Sequence, residues 1–362
     1  MTNQPPRLTV AGINFDHFHM GDNLRLAARH PLVDLVAVCD EDPPRMADAI
    51  TTFSIPAERV YTDYRRCLEE TRPDLVILCP ATSQHGEWTR RVAPYGVHIL
   101  IEKPFAASLA EADDMIAQMQ ATGKQLAINW PLAWYPSHRT AKRLVDEGQI
   151  GRLIEVHYYG GNRGPLWHTA DKAARTAEQV AAEKPHSWFY RRAHGGGSLL
   201  DYLGYGTTLG TWFLDNAMPL EVTAVVDDPE GLEVDEQSVT VARYEFGLCT
   251  YHTRWGTFTD PWTHLTQPRT GFVLLGTDGT ILSSDYEDTI TIQNSKHPDG
   301  HPVKVDVLQP PFQDPVQYIV DCVQRDIPVE GPLSTFVSRI GQQIVDTALR
   351  SAQEKRTLPL VV

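Results

Sequence analysis

Residues His98 to Pro104 read HILIEKP, an apolar run that ends in a Glu-Lys-Pro turn. Short apolar runs of this kind, bounded by turn residues, recur through the first third of the chain and alternate with helical patterns. We predict strands at 8–13, 33–39, 75–79, 98–101 and 125–128. Because these runs are apolar almost throughout, they are typical of a parallel sheet that helices cover on both faces.

Helical patterns separate the predicted strands. They lie at 21–29, 43–51, 63–71, 86–95 and 109–122, and several have Ser, Thr or Asp near their starts, as helix amino termini prefer. The predicted fold class is therefore α/β, with a doubly wound Rossmann sheet over residues 1–129. Such sheets bind ligands beyond the carboxyl ends of their strands, where the strand order reverses, so the candidate site lies in those loops.

The first of these loops follows the strand 8–13 and reads Gly12-Ile-Asn-Phe-Asp-His17. A strand, this turn and a helix make a dinucleotide-binding unit in which the helix amino terminus binds pyrophosphate. Asn14 and His17 stand where a glycine fingerprint has glycine. A plain tight turn is the alternative interpretation of this stretch.

Asp40 ends the second predicted strand, where an acidic side chain accepts hydrogen bonds from the ribose hydroxyls of an adenosine. Glu41 adds a second negative charge that repels a 2'-phosphate, so the pair favours NAD over NADP. Arg45 is a cation that can pair with a 2'-phosphate, so NADP stays the alternative cofactor. The alternative interpretation of Asp40 is a helix amino cap before Pro43.

A loop of small residues, Cys79 to His85, ends another strand and lets the nicotinamide half of a cofactor lie against the backbone. His85 has an alternative role as a helix amino-terminal residue in solvent. We predict NAD as the cofactor, bound by Gly12, Asn14, Phe15, Asp40, Arg45, Pro80, Ala81, Thr82, His85, Glu102, Lys103 and Asn129.

The composition narrows the functional classes. The chain has 362 residues, 42% hydrophobic content and a formal net charge of -14, which argue for packed domains and against nucleic-acid or anionic-membrane partners. Its five cysteines are widely spaced and lack a C-x-x-C pair, so we predict no metal site and no disulfide. The polar amino-terminal residues and the lack of a long apolar run favour a cytoplasmic protein.

The pattern changes to separate short strands in residues 130–362, which we predict to be an α+β domain for substrate binding and oligomerisation. Strands are predicted at 153–159, 221–226, 238–244, 249–254 and 272–275. Breaks at Phe246-Gly247 and Asp278-Gly279 are typical of antiparallel hairpins. A helical pattern at 314–352 is expected to form two helices, divided at 327–332.

The segment 160–197 is long, irregular and rich in aromatic and cationic side chains. Loops of this length are usually functional or disordered, and the aromatic content disfavours disorder. Substrate binding is the predicted role, with oligomer contact as the alternative. The predicted substrate-binding residues are Lys103, Arg163, Trp167, His168, Lys172, Trp188, Arg191 and Tyr202.

With these residues in place, the chain resembles the Gfo/Idh/MocA oxidoreductase family over nearly its whole length. The resemblance lies in the Gly12 turn, Val38-Cys39-Asp40, the Pro80–His85 loop, Glu102-Lys103-Pro104, and Gly195–Asp201 with the pattern that follows. It implies an amino-terminal nicotinamide-binding domain and a carboxyl-terminal domain with a large open, mainly antiparallel sheet. It also implies oligomer contacts, here a homodimer or homotetramer.

The resemblance implies that Lys103 and Asp201 lie at the reacting centre, with Tyr205 where most members have histidine; we add His168 as a catalytic candidate. Ala133 stands where members commonly have arginine. Each catalytic candidate has a structural alternative. Lys103 can pair with Glu102 at a strand end, Asp201 can cap a helix, and Tyr205 can be a core aromatic residue.

Three functions fit these residues. The first is a dehydrogenase that moves a hydride from a secondary hydroxyl of a pyranose-type sugar to NAD, which needs a group to receive the hydroxyl proton. The second is an NAD-dependent glycoside hydrolase that oxidises, eliminates, adds water and reduces, on an anionic glycoside such as a sulfoquinovoside or a uronate. The third is a non-catalytic NAD or sugar sensor.

Overall fold

The computed structural model describes residues 6–227 and 229–362, which form two compact units. Of the described residues, the first unit contains 6–129, 168–177 and 309–335. The second contains 130–167, 178–227, 229–308 and 336–362. The chain therefore leaves the first unit after Asn129 and returns to it twice.

The first unit contains a six-stranded parallel sheet in the order β3-β2-β1-β4-β5-β6. Its strands are β1 Leu8–Ile13, β2 Val33–Cys39, β3 Val60–Tyr61, β4 Leu75–Leu78, β5 His98–Glu102 and β6 Leu126–Asn129. Every residue of β4 and β6 is buried, as expected of strands covered on both faces. Strand order reverses between β1 and β4, which confirms the doubly wound parallel fold.

Helices connect these strands and continue along the chain. Their bounds are α1 His19–Arg29, α2 Ala47–Thr52, α3 Tyr64–Thr71, α4 His85–Val92, α5 Leu109–Thr122, α6 Pro136–Asp146, α7 Ala177–Glu183, α8 Ser198–Phe213, α9 Pro315–Arg325 and α10 Thr335–Glu354. The split of the last predicted helical pattern is confirmed, since α9 and α10 are separate. Asp314 starts α9 by accepting a hydrogen bond from the Gln317 N–H.

The second unit contains a nine-stranded mixed sheet in the order β14-β13-β12-β11-β7-β10-β9-β8-β15. Its strands are β7 Leu153–Asn162, β8 Glu221–Val226, β9 Gln237–Tyr244, β10 Gly247–Trp255, β11 Gly271–Gly276, β12 Gly279–Ser284, β13 Thr289–Asn294, β14 His297–Lys304 and β15 Leu358–Pro359. Strands β7 and β10 pair in parallel, and the other pairs are antiparallel. The mainly antiparallel second sheet is thus confirmed.

The hairpins predicted from Phe246-Gly247 and Asp278-Gly279 are present as the β9–β10 and β11–β12 connections. Strands β13 and β14 were not predicted, although burial alternates along β13 in the two-residue period of a half-covered strand. Among the described residues, no helix is long and apolar enough to cross a membrane.

Candidate active site

The turn after β1 is held close to helix α1. A Cβ on Gly12 would lie 2.9 Å from Cδ2 of Leu24 and 3.0 Å from Sδ of Met20, so a larger residue here would force these buried side chains to shift. Asn14 has φ 65, in the left-handed region that asparagine tolerates better than most residues. Its side-chain oxygen accepts a hydrogen bond from the Asp16 N–H at 2.9 Å. Asparagine therefore reproduces here the backbone conformation for which the fingerprint uses glycine.

His17 occupies the last fingerprint position and is 2% exposed. Its backbone N–H donates a hydrogen bond to the Cys79 carbonyl at 2.9 Å. This bond fixes the turn next to Cys79, the residue that follows β4. Its ring Nδ1 accepts a hydrogen bond from the backbone N–H of His19, the first residue of α1. Burial, together with the charges of His19 and Lys103, lowers the pKa of His17 well below its ordinary value.

Asp40 is 3% exposed at the end of β2 and binds the backbone of two loops. Its carboxylate accepts hydrogen bonds from the N–H of Phe15 at 2.6 Å and of Asp42 at 2.8 Å. These hydrogen bonds lower the pKa of Asp40, but burial outweighs them and the net shift is upward. The helix-cap interpretation is wrong, because Asp42 precedes the short 3₁₀ turn that begins at Pro43.

Arg45 contacts acidic side chains in the loops that follow β1 and β2. It forms an ion pair with Asp16 and lies 3.9 Å from Asp40 Oδ1. Asp16 also accepts a hydrogen bond from the Ala81 N–H at 3.3 Å, which links the first turn to the loop after β4.

His85 begins α4 and is 1% exposed, so the interpretation as a solvent-facing residue is wrong. Its ring nitrogens lie 3.1 Å from the Phe105 carbonyl oxygen and 3.3 Å from that of Pro80. Burial lowers the pKa of His85 to about 4. The ring holds the loop after β4 against the segment after β5, with Thr82 buried in the same loop.

Glu102 ends β5 with a fully buried carboxylate. One oxygen lies 2.7 Å from His19 Nδ1, and the other accepts a hydrogen bond from Asn129 Nδ2 at 3.0 Å. Asn129 Nδ2 also donates to Asn23 Oδ1 at 3.1 Å. Although burial raises the pKa of Glu102, the charges of His19 and Lys103 and these hydrogen bonds outweigh it, and the net shift is downward.

Lys103 follows Glu102 and is 3% exposed. Its charge contributes to lowering the pKa values of His17, His85 and His168, which places all three imidazoles in its electrostatic neighbourhood. His168 belongs to the 168–177 segment of the first unit and packs edge-to-face on Phe18, with ring centroids 4.9 Å apart. Burial is the largest cause that lowers the pKa of His168 to about 3.

Lys172 lies in the same segment and also lowers the pKa of His168. The first unit thus brings together the strand-end lysine and two residues predicted to bind substrate. This grouping was not evident in the sequence, where Lys103 and His168 are far apart.

In the second unit, Asp201 lies in the first turn of α8 and is 3% exposed. Its backbone N–H donates to the carbonyl of Gly197, the residue that precedes the helix, so the helix-cap interpretation is wrong. Asp235 accepts hydrogen bonds from the Leu199 N–H and the Ser198 hydroxyl instead. The Asp201 charge adds to burial in raising the pKa values of Tyr158, Tyr190 and Tyr202.

Tyr205 is 8% exposed and lies among aromatic rings. It packs edge-to-face on Trp130 at 5.5 Å and on Tyr202 at 6.0 Å between centroids. These contacts are those of a packed aromatic residue, and its catalytic role stays a prediction.

Three of the predicted substrate residues in the second unit contact neighbouring side chains or backbone of the same unit. The Arg163 guanidinium lies 3.5 Å from the Trp167 ring centroid. The Arg163 backbone N–H donates a hydrogen bond to Asp260 Oδ1 at 3.0 Å. Arg191 pairs with Glu233 at 3.1 Å, so its charge is matched within the unit. Trp188 stacks on the neighbouring Phe189, with ring centroids 3.8 Å apart.

Two family models match most of the chain. Residues 7–130 match the oxidoreductase family with an NAD-binding Rossmann fold, and residues 138–282 match the Gfo/Idh/MocA carboxyl-terminal domain. The chain belongs to the Gfo/Idh/MocA oxidoreductase family. Its first unit therefore contains an NAD-binding domain, as predicted.

Individual relatives share shorter regions. D-apiose dehydrogenase of Paraburkholderia graminis is 31% identical over 33% of this chain and 31% of its own length. NAD-dependent scyllo-inositol 2-dehydrogenase of Bacillus subtilis is 27% identical, over 49% and 52%. Glycosyl hydrolase family 109 protein 1 of Akkermansia muciniphila is 28% identical, over 37% and 30%. The matches thus span between 30% and 52% of these relatives' lengths.

The crystal structure of aldose-aldose oxidoreductase from Caulobacter crescentus, complexed with glycerol, has the same fold. It superposes with a TM-score of 0.79 at 19% identity, over 98% of this chain and all of that one.

The residues of the first unit fit NAD. Asn129 Oδ1 is buried and accepts no hydrogen bond from the described residues, so it can accept one from a carboxamide N–H. Gly12, Asn14, Phe15 and Asp40 would hold the pyrophosphate and adenosine half, with Pro80, Ala81, Thr82 and His85 beside the nicotinamide half. The bound nicotinamide supplies the hydride acceptor.

Proposed function

We propose that this protein is an NAD-dependent dehydrogenase that oxidises a secondary hydroxyl of a pyranose-type sugar or glycoside. The observation that carries the proposal is Lys103, an almost fully buried lysine at the end of β5 in an NAD-binding unit, beside Glu102 and three imidazoles. Lysine side chains are rarely buried unless they have a partner or a function. A buried lysine in a cofactor-binding unit is therefore a candidate for the active site.

Lys103 is assigned to the substrate hydroxyl, whose proton must leave as the hydride moves to the nicotinamide. His168 has a pKa near 3, which makes its imidazole a weak proton acceptor at neutral pH. We therefore assign His168 to hydrogen bonding with the substrate instead of to proton abstraction. The roles of Asp201 and Tyr205 at the reacting carbon stay part of the proposal and rest on the family resemblance.

The test is a panel of free pyranoses, polyols and inositols with added NAD, in which NADH absorbance and ketone product are measured together. Equal amounts of NADH and ketone support the proposal. The Lys103→Met variant should lose this activity, whereas Lys124→Met, a change of a partly exposed lysine in the same unit, should retain it. An equally active Lys103→Met enzyme would show that the proposed role of Lys103 is wrong.

A second candidate function is hydrolysis of a glycoside through transient oxidation by NAD. The similarity to a glycosyl hydrolase family 109 protein favours it, although the match covers only part of either chain. The ketone formed first makes the neighbouring C–H acidic enough for a side chain to remove. Aryl glycosides separate the two candidates, because hydrolysis releases the aryl alcohol without net NADH, and the dehydrogenase accumulates NADH without cleavage.

The hydrolase proposal includes an anionic substrate, and Arg163 is the residue proposed to bind its charged group. The Arg163 guanidinium stacks on the Trp167 ring. A sulfonate or a carboxylate on the sugar would form charge-assisted hydrogen bonds with it. Competition between sulfosugars and uronates for the same activity distinguishes the two groups. A homodimer or homotetramer and a cytoplasmic location likewise stay predictions.

A further inference from the structure

Three potential metal ligands meet in the first unit at the ends of β1 and β5. They are His17, His19 and Glu102, and their ligand atoms all lie within 4.8 Å of one another. His17 and His19 come from the turn into α1, whereas Glu102 ends a strand more than 80 residues later. The proposed dehydrogenase chemistry uses none of the three as a catalytic group.

The backbone of the His17 turn and the Glu102 side chain are held in place by neighbours. The His17 backbone N–H is bonded to the Cys79 carbonyl at 2.9 Å, which fixes the turn over β4. The Glu102 carboxylate is held through one oxygen by Asn129 Nδ2, and Asn129 is itself bonded to Asn23. Ligands oriented by such outer hydrogen bonds are typical of metal sites in proteins.

Exposure differs among the three in a way that suits a metal with an exchangeable ligand. Glu102 is fully buried and His17 nearly so, but the His19 side chain is 21% exposed. A cation bound by all three would be shielded on the protein side and reachable from the side of His19. Zinc sites with three protein ligands keep such a position for water or another oxygen donor.

We propose that His17, His19 and Glu102 form a binding site for a divalent transition metal of the zinc class. Two imidazoles and one carboxylate are a donor set that Zn²⁺ and Co²⁺ accept. In the unbound arrangement, His19 Nδ1 and Glu102 Oε1 are 2.7 Å apart, and a bound metal would take the place of this direct contact. The weak 3.2 Å hydrogen bond from the His19 N–H to His17 Nδ1 would give way if that nitrogen binds the metal.

The experiment begins with the full chain stripped by a chelator and dialysed against Zn²⁺ or Co²⁺. Elemental analysis should find about one metal ion per chain, and Co²⁺ should give the visible absorption of a low-coordinate site. His17→Gln, His19→Gln and Glu102→Gln should each abolish this stoichiometric binding. Asn129→Ala should weaken affinity by about 10- to 100-fold, as expected for loss of a group that orients a ligand.

The matched control is His98→Gln, because His98 begins the strand that Glu102 ends and its Nδ1 accepts the Gln125 N–H. This variant should bind metal like the original chain. Circular dichroism and thermal unfolding of every variant separate a lost metal ligand from a lost fold.

Substoichiometric metal in the original chain, or full binding in His17→Gln and His19→Gln, would overturn the proposal. Metal binding is measured without any sugar substrate, so its failure is independent of the proposed dehydrogenase activity. A chain that oxidises sugars after chelation and binds no metal would retain the function and lose the site. A chain that binds metal but oxidises no sugar would do the opposite.

Discussion

Replacing Glu102 by glutamine tests the electrostatics of the strand end from which Lys103 follows. The change keeps the shape of the side chain and removes a fully buried negative charge that lies 2.7 Å from His19 and beside Lys103. Removing one partner of a buried ion pair leaves the other charge uncompensated and typically costs about 3–5 kcal/mol. We therefore expect Glu102→Gln to lower the free energy of unfolding by about 3 kcal/mol at pH 7.

The pH dependence follows from the sign of the pKa shift. The folded-state pKa of Glu102 lies below the ordinary value of 4.5, so its ionised form stabilises the fold above that pH. This stabilisation is lost as the pH falls through the folded-state pKa. The difference between the original chain and Glu102→Gln should therefore shrink on acidification below about pH 4.5.

Glu111 provides a matched control with the opposite sign. Its carboxylate accepts hydrogen bonds from the N–H groups of Gly86 and Ala107, but burial outweighs them and raises the pKa of Glu111. The folded state then binds the Glu111 proton more tightly, and stability falls as the pH rises through the window above 4.5. The advantage of the original chain over Glu111→Gln should therefore grow on acidification.

The assay is urea unfolding of chelator-treated protein between pH 7 and about pH 3, monitored by circular dichroism and tryptophan fluorescence. Coincidence of the two signals checks whether a single free energy describes the transition. An unchanged free energy of unfolding in Glu102→Gln at pH 7 would refute the reasoning. So would a pH trend with the same sign for both variants.

Three further changes address the cofactor and the chemistry. Lys103→Met should lower kcat by about 10²- to 10⁴-fold at saturating NAD, because the hydroxyl proton loses its acceptor; an unchanged kcat at saturating NAD would contradict its assignment to the substrate hydroxyl. Asp40→Ser should raise affinity for NADP relative to NAD, because it removes a carboxylate that repels a 2'-phosphate; an unchanged ratio of the two dissociation constants would count against this placement. Gly12→Ala should cost about 1–3 kcal/mol of stability, since its Cβ would lie 2.9 Å from Leu24 Cδ2, and Leu24→Val in the same chain should restore part of it; an undiminished melting temperature would argue against the close approach.

Much of the first unit could be predicted from the sequence, because its elements have strong local patterns. The bounds of β1, β2 and α5 agree with the prediction at both ends. The two-residue strand β3 is too short to have a period, and it exists through its pairing with β2. In the second unit, β13 and β14 were missed because their polar outward faces resemble loop sequence.

The candidate site divides in the same way. Lys103, Glu102 and Asp40 could be found because each directly follows or ends an apolar strand, and the ends of parallel strands meet at one edge of a sheet. Arg191 shows the limit of this reasoning, since its ion pair with Glu233 could not be predicted from the sequence. Its substrate contact stays a prediction. An ion pair between residues distant in sequence leaves no local pattern.

The sequence by itself determined the class of the first unit, the strand ends that carry its polar residues, and the family resemblance, since apolar runs and short motifs are local. Only the tertiary structure decided that the 168–177 segment joins the first unit and brings His168 near Lys103. It also decided that His17 and His19 meet Glu102, and that β7 pairs in parallel with β10. These are contacts between distant parts of the chain, and their partners are selected by burial and packing in three dimensions, which a one-dimensional pattern does not contain.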